Sequence, residues 1–332
     1  MSYFCAFPFE HLEITANGDA YVCCVGRLRT PVGNITTSGI RDLWNSPIAC
    51  DIRASILTNE FTYCQGCRFY KDKFFHVKTA QDLNHREQAY VRGVKPSLPR
   101  RVVLSMDRSC QLSCPSCRYE QEGLVNTSVP DNLQQRVLDD PDISGVEFLW
   151  TSGSGDPLYS SVHRKMLVQI AAAKFGSCKI GLHTNGLLFK TVWGDLPEAS
   201  RSRINRVSVS VDGASKKTHE MNRRGSHWEA LMANLAFIRD LRIEGRLEKF
   251  KLLFVAQKNN WHEMSDFVRL AKSVHANRVV ITALGNWRTF TTLEYNDRAV
   301  QRPEHPQHAA FVQALRDPIL RDPIVHQKIM EV

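Results

Sequence analysis

Cys110, Cys114 and Cys117, in RSCQLSCPSCR, are the residues of this chain whose type and spacing best suit chemistry. Three thiolates on one loop can wrap a small iron-sulfur cluster, and a corner with no nearby protein ligand stays open to an external molecule. A structural zinc loop competes with this reading, but it prefers four closed ligands and paired C-x2-C knuckles. A second set lies near the start: Cys5, Cys23 and the pair Cys64-x2-Cys67, with Cys24 as an alternative to Cys23. Four thiolates close a tetrahedral site, and on these residues alone zinc and an iron-sulfur cluster fit equally well. The chain has 332 residues, 43% hydrophobic and 23% charged, so it can bury a large core without disulfides. Clustered thiols in such a chain point to metal binding or redox work. Cys50 and Cys178 stand apart from both sets and read as structural.

The elements that must hold these cysteines follow a regular rhythm from residue 101. The strand-like runs RVVLSMD, GVEFLWTS, KIGLHTN, NRVSVSVD, FKLLFVAQ and RVVITAL alternate with helical segments such as SHWEALMANLAFIRDL and NWHEMSDFVRLAKSVHA. Six β/α units predict an α/β fold with a parallel sheet and right-handed crossovers, closing into a partial (β/α)6 TIM-like barrel. The first cysteine set then sits just after the first strand, where side chains of such folds converge on ligands. In the fourth strand Arg206, Ser208, Ser210 and Asp212 share one face and Val207, Val209 and Val211 the other, which predicts a polar interior and hence a ligand. The expected divisions are a cysteine-bearing module over 1–75, a polar connector over 76–100, the barrel over 101–284, and an extension of short helices and turns over 285–332. Within the module, HLEITANGDAYVCC predicts a hairpin with a tight primed turn at Asn17-Gly18, followed by a helix with Thr37 or Ser38 as its N-cap.

C-x3-C-x2-C after the first strand of a six-unit β/α chain resembles the radical S-adenosylmethionine (SAM) enzymes, over about residues 101–284. The resemblance implies that Cys110, Cys114 and Cys117 hold a 4Fe-4S cluster whose unique iron is chelated by SAM. It further implies that one electron splits SAM into methionine and a 5′-deoxyadenosyl radical, which takes a hydrogen atom from substrate. Ser116 departs from the aromatic residue that many members carry before the third cysteine. TSGSGDP, residues 151–157, is similar to the family's Gly-Gly-Glu-Pro element for the SAM amino group, which assigns Ser154, Gly155 and Asp156 to cofactor binding, with Asp156 in place of Glu. Ser210 and Arg223 match positions that contact the carboxylate or ribose of SAM, Arg224 being the competing assignment. Asn185 in HTNG, and Gln257 and Asn260 in VAQKNN, are candidate adenosine or substrate contacts. NGDAYVCC, VGNI and DLWNS are similar to the SPASM/twitch auxiliary-cluster domains of this family, here ahead of the barrel rather than after it. That implies one further 4Fe-4S cluster on Cys5, Cys23, Cys64 and Cys67, two clusters in all.

An auxiliary cluster beside a radical-forming one implies net oxidation, because the substrate radical's electron gains an acceptor. The expected function is therefore a radical SAM oxidoreductase that dehydrogenates a small polar metabolite in biosynthetic tailoring. Peptide cross-linking or epimerisation, and a non-catalytic iron-sulfur or zinc protein, are the alternatives. His183 is the candidate base, with a satisfied barrel histidine as the other reading. The net charge of +9 arises in part from Arg100-Arg101, Arg201 to Arg206 and Lys216-Lys217, tracts that could draw in a phosphorylated or nucleotide-linked substrate. No RNA-binding motif accompanies the charge, so a nucleic-acid partner is not expected. The resemblance also implies an electron donor such as flavodoxin or ferredoxin. MSYFCAFPFEHLEI has no signal-peptide pattern and no run is apolar enough to span a membrane, so the cytoplasm is the expected location.

Overall fold

The computed structural model describes residues 4–65, 67, 77–94, 96–117, 133–151, 155–172, 175–287 and 289–329. The chain divides into two compact units: Met1–Arg108 with Asn126–Gly155 and Lys165–Ile180, and Ser109–Val125 with Asp156–Arg164 and Gly181–Val332. The first two barrel strands cluster with the cysteine module in the first unit.

The first unit contains β1 (Phe4–Cys5), β2 (His11–Thr15), β3 (Asp19–Tyr21), β4 (Gly33–Asn34), β5 (Val77–Lys78), β6 (Arg101–Ser105) and β7 (Phe148–Thr151). β6 and β7 pair in parallel, as expected of barrel strands. On its other edge β6 pairs in parallel with β2, from His11 opposite Arg101 to Thr15 opposite Ser105. Leu12, Ile14, Val102 and Leu104 are fully buried on one face of this pair, so the module shares a core with the barrel strand. His11, Glu13, Arg101 and Ser105 take the opposite face.

The hairpin of β2 and β3 forms, but its turn differs from the expected one. Gly18 N donates to Thr15 O at 2.9 Å, and only Gly18 of the pair has positive φ, +86°. The loop is thus the three-residue kind with glycine in the left-handed position. A Cβ at Gly18 would lie 2.7 Å from Asn34 Oδ1, so glycine is required twice over. The helix Ile40–Trp44 starts after Gly39, and its first N–H is satisfied from afar, Ile40 N donating to Asp140 Oδ2 at 2.7 Å. Thr37 and Ser38 are not its caps. Ser46 caps the next helix, Pro47–Leu57, by accepting from Ala49 N. Residues 76–100 are not an open connector. They contain β5 and the helix His85–Val91, whose capping box pairs Asn84 with the fully buried Glu87.

The second unit carries β8 (Lys179–Thr184) from Gly181 onward, β9 (Ile204–Ser210), β10 (Lys249–Ala256), β11 (Arg278–Ala283) and β12 (Val325–Lys328), side by side in that order. The β9–β10, β10–β11 and β11–β12 pairs are parallel. β12 corrects the expectation of helices and turns alone beyond residue 284. Val207, Val209, Phe250, Leu252, Phe254, Val279 and Ile281 are fully buried on the face covered by helices Trp228–Ile243 and Met264–Ser273. Phe254 and Phe267 meet there with ring centroids 4.9 Å apart. Burying each such side chain contributes about 2 kcal/mol. Arg206, Ser208, Ser210, Lys251 and Arg278 take the inner face, as the alternation in β9 predicted.

Candidate functional site

Cys110, Cys114 and Cys117 lie on the irregular loop that opens the second unit. The loop has its own anchors. Ser113 N donates to Arg224 O at 3.0 Å, and the Arg224 guanidinium returns two bonds to Ser113 O at 3.1 and 3.0 Å. Asp156 N donates to Ser109 O at 2.9 Å, which ties the segment after β7 to the start of the loop. Cys110 is half-buried, Cys114 buried and Cys117 exposed.

Donors converge on the sulfurs. Leu112 N donates to Cys110 Sγ at 3.4 Å, and Asn185 Nδ2 lies 3.8 Å from the same atom. Arg223 Nη1 stands 3.9 Å from Cys114 Sγ, while Arg223 Nη2 pairs with Asp212 Oδ2 at 2.7 Å. Burial pushes the Cys114 thiol up, and the Arg223 charge opposes that shift. Arg223 itself is held firmly protonated: burial disfavours its charge, but Asp212 and the thiols outweigh burial. N–H and guanidinium donors aimed at sulfur suit an anionic thiolate cluster, so this donor set fits one. Of the two competing arginines, Arg224 is spent on the loop backbone and Arg223 faces the thiols.

Asp212 has no signal in the sequence for the job it does. It sits at φ +56°, a strained conformation for a non-glycine residue. Its Oδ1 accepts from Val255 N at 2.7 Å, and its carbonyl accepts from Asn222 Nδ2 and Asn260 Nδ2 at 2.9 and 3.0 Å. Gln257 Nε2 donates to Asn222 Oδ1 at 3.1 Å. Gln257 and Asn260, expected as ligand contacts, thus use their side-chain N–H groups to hold the Asp212 turn.

Asp156 is almost fully buried. Its Oδ2 accepts from Thr184 Oγ1 at 2.8 Å and Asn185 N at 2.7 Å, and its Oδ1 from Leu158 N at 3.0 Å. Burial pushes this carboxyl up, against the hydrogen bonds from Asn185 N, Thr184 Oγ1, Leu158 N and Tyr159 N. Its side chain therefore locks the end of β8. Gly155 adjoins it, and Ser154 lies outside the described residues. Asn185 is placed by the same lock beside Cys110. Ser210 Oγ lies 2.9 Å from His183 Nε2. Burial, then Arg223 and Lys251, push the His183 imidazole down to about 4. It is neutral at pH 7 and a poor base.

The second thiol set lies in the first unit. Burial pushes the Cys5 thiol up to about 12, with Cys64 and Cys67 close enough to add to the shift. Cys23 is pushed well up by burial, then by Cys5 and Cys24. Burial and Cys67 push Cys64 up to about 11. Cys5, Cys23, Cys64 and Cys67 thus each lie within electrostatic range of at least one other, although no three His, Cys, Asp or Glu groups among the described residues converge on a single-ion position. Burial disfavours the thiolate forms of Cys5, Cys23 and Cys64, and a bound metal centre would offset that cost. Cys24 is pushed up by burial and by Glu13. Glu13, absent from the sequence reading, accepts from Ser105 Oγ at 2.7 Å and Val25 N at 3.2 Å, with His11 Nε2 3.7 Å away. Cys50 and Cys178 donate to backbone carbonyls of nearby residues.

The basic tracts invoked for steering are largely neutralised. Arg100 and Arg101 pair with Glu10, Arg201 with Glu198, Arg206 with Glu248, and Lys216 with Glu229. No helix among the described residues is long and apolar enough to cross a membrane.

Two family models match the chain. Residues 5–68 match the SPASM iron-sulfur cluster-binding domain, and residues 104–271 match the radical SAM superfamily. A GTP 3′,8-cyclase of Desulforamulus reducens is 29% identical over 196 residues, 55% of each chain. An AdoMet-dependent heme synthase of Methanosarcina barkeri is 28% identical over 189 residues, 54% of this chain and 48% of that protein. The chain thus spans about half the length of these curated relatives. The structure of Streptococcus suis SuiB bound to precursor peptide SuiA aligns with a TM-score of 0.48 at 12% identity, over 87% of this chain and 64% of that one. The radical SAM domain takes a 4Fe-4S cluster and SAM, and the SPASM domain takes further iron-sulfur. The chain belongs to the radical SAM superfamily, with its SPASM domain ahead of the radical SAM core.

Proposed function

We propose that this protein is a radical SAM oxidoreductase that dehydrogenates a small polar metabolite. The observation that supports the reading is the grouping of Cys5, Cys23, Cys64 and Cys67, each within electrostatic range of at least one other, over the residues that match the SPASM domain. Four protein ligands leave a cluster no free corner for substrate, so its remaining use is to exchange electrons. Cys110, Cys114 and Cys117, by contrast, are three. When bound, the two clusters and SAM supply a 5′-deoxyadenosyl radical that takes a hydrogen atom and an acceptor for the electron left on substrate. The chain supplies the rest. Arg223 and Asn185 hold the thiolates, Asp156 and Asp212 fix the loops that present them, and Ser210 with neutral His183 offers hydrogen bonds to a polar substrate. A small donor such as flavodoxin or ferredoxin would deliver the first electron.

The test is anaerobic reconstitution with iron, sulfide, SAM and dithionite, followed by mass spectrometry on a panel of small alcohols. Wild type should form 5′-deoxyadenosine together with a product two hydrogens lighter. Cys64→Ala should still form 5′-deoxyadenosine but lose the oxidised product. An undiminished oxidised product from Cys64→Ala would overturn the electron-acceptor role.

A further inference from the structure

Glu13 stands on β2, on the face opposite the apolar core that β2 shares with β6, and is buried there with His11 and Ser105. A buried carboxylate is costly unless donors surround it. Ser105 Oγ donates to its Oε1 at 2.7 Å and Val25 N to its Oε2 at 3.2 Å, and His11 Nε2 lies 3.7 Å from Oε2. Burial disfavours its charge, but His11, Ser105 and Val25 outweigh burial and hold the carboxyl below its usual range. The His11 imidazole is itself pushed down by burial, so it is neutral at pH 7 and leaves the negative charge in place.

The loop that this carboxylate grips is the one that presents Cys23. Val25 is two residues beyond Cys23, so a group bonded to Val25 N stands within about 11 Å of the Cys23 sulfur by chain geometry. The loop then folds on itself, with Cys24 O accepting from Arg27 N at 2.9 Å and Leu28 N at 3.1 Å. Through Ser105 the same carboxylate is tied to the end of β6. Its charge reaches the thiols: after burial, Glu13 pushes Cys24 up. Arg27 acts in the opposite sense on Cys5, Cys23 and Cys24.

We propose that Glu13 positions the Cys23 loop and that its carboxylate lowers the reduction potential of the iron-sulfur centre held there. Reduction adds an electron to that centre, and a fixed anion at this distance in a low-dielectric interior opposes the addition. The role goes beyond the dehydrogenation reading and does not need it. It rests on the cluster-binding SPASM match over residues 5–68 and on Cys23 as a ligand. In an electron acceptor, a lower potential favours passing the electron on to a carrier.

The test uses the full chain, reconstituted anaerobically with iron and sulfide, and an EPR-monitored redox titration that separates the signal insensitive to SAM from the one that SAM changes. Glu13→Gln keeps the shape and removes the charge. It should raise the potential of the SAM-insensitive signal, by about tenfold in the reduced-to-oxidised ratio at fixed ambient potential, or about 59 mV for one electron. Glu13→Asp keeps the charge and should stay close to wild type. Arg27→Gln should move the same signal downward. In all three variants the SAM-responsive signal should keep its wild-type potential, and iron analysis should find about eight atoms per chain. A wild-type potential in fully loaded Glu13→Gln overturns the proposal, as does an equal rise in Glu13→Asp or an equal rise in both signals. Should Glu13→Gln hold only about four iron atoms, Glu13→Asp decides. Full loading at the wild-type potential then upholds the role of the carboxylate, and loss of iron there too overturns the electrostatic role. Absence of an oxidised product would remove the dehydrogenation reading and leave these potentials as expected.

Discussion

Arg223 joins Asp212 at 2.7 Å to Cys114 at 3.9 Å, so a strained turn after β9 reaches the middle cysteine of the loop through one guanidinium. A cation beside a cluster sulfur favours the more negative, reduced form. Arg223→Gln should therefore shift the midpoint potential of this cluster downward and slow SAM cleavage by about tenfold or more. An EPR-monitored redox titration reads the first effect. An unchanged potential would show that the pair serves only the fold.

Asp156 accepts three hydrogen bonds from groups that have few other partners. Asp156→Asn keeps the size but turns one acceptor into a donor that faces donors. Destabilisation of about 2 kcal/mol is expected in urea unfolding. No loss would mean that the carboxylate is not the lock described above.

His183 gives a pH signature. Its folded pKa of about 4 lies below its ordinary 6.5, so between these values the unfolded chain binds more protons. Stability is retained above pH 6.5 and falls as pH drops toward 4. For this residue alone the loss from pH 7.5 to pH 5 is up to about 2 kcal/mol. Urea unfolding of His183→Gln at the two pH values should show a smaller drop than wild type by that amount. Parallel drops in the two proteins would contradict the depressed pKa.

Cys5 and Cys64 act electrostatically on Cys23, whereas Glu13 acts on Cys24. Iron analysis after reconstitution should find about eight iron atoms per chain in wild type and in Cys24→Ala, and about four in Cys23→Ala. The opposite ranking would exchange the two assignments.

Much of this was legible in the sequence because alternation and spacing are local signals. The six barrel strands follow from runs such as NRVSVSVD, in which valines and polar residues take opposite faces. The two cysteine sets follow from their spacing. Long-range pairings were not legible. Nothing in HLEIT marks it as a parallel partner of RVVLS, since both runs suit many partners, and the same holds for β12 on β11. The Glu13–Ser105 bond joins residues 92 positions apart in sequence. The bonds that Asp156 and Gln257 make within the fold were not legible for another reason. A polar residue at a strand end reads as a ligand contact, whereas here its partners are backbone and side-chain groups that converge only in the fold.

The most direct measurement is EPR and product analysis of the chain with Cys110, Cys114 and Cys117 all replaced by alanine, beside wild type, after reduction with dithionite. Wild type should show a reduced-cluster spectrum that changes on addition of SAM, with 5′-deoxyadenosine formed. The triple variant should show neither the SAM-dependent change nor the nucleoside, while the spectrum of the other cluster remains. Formation of 5′-deoxyadenosine by the triple variant would contradict the assignment of SAM cleavage to these three thiolates.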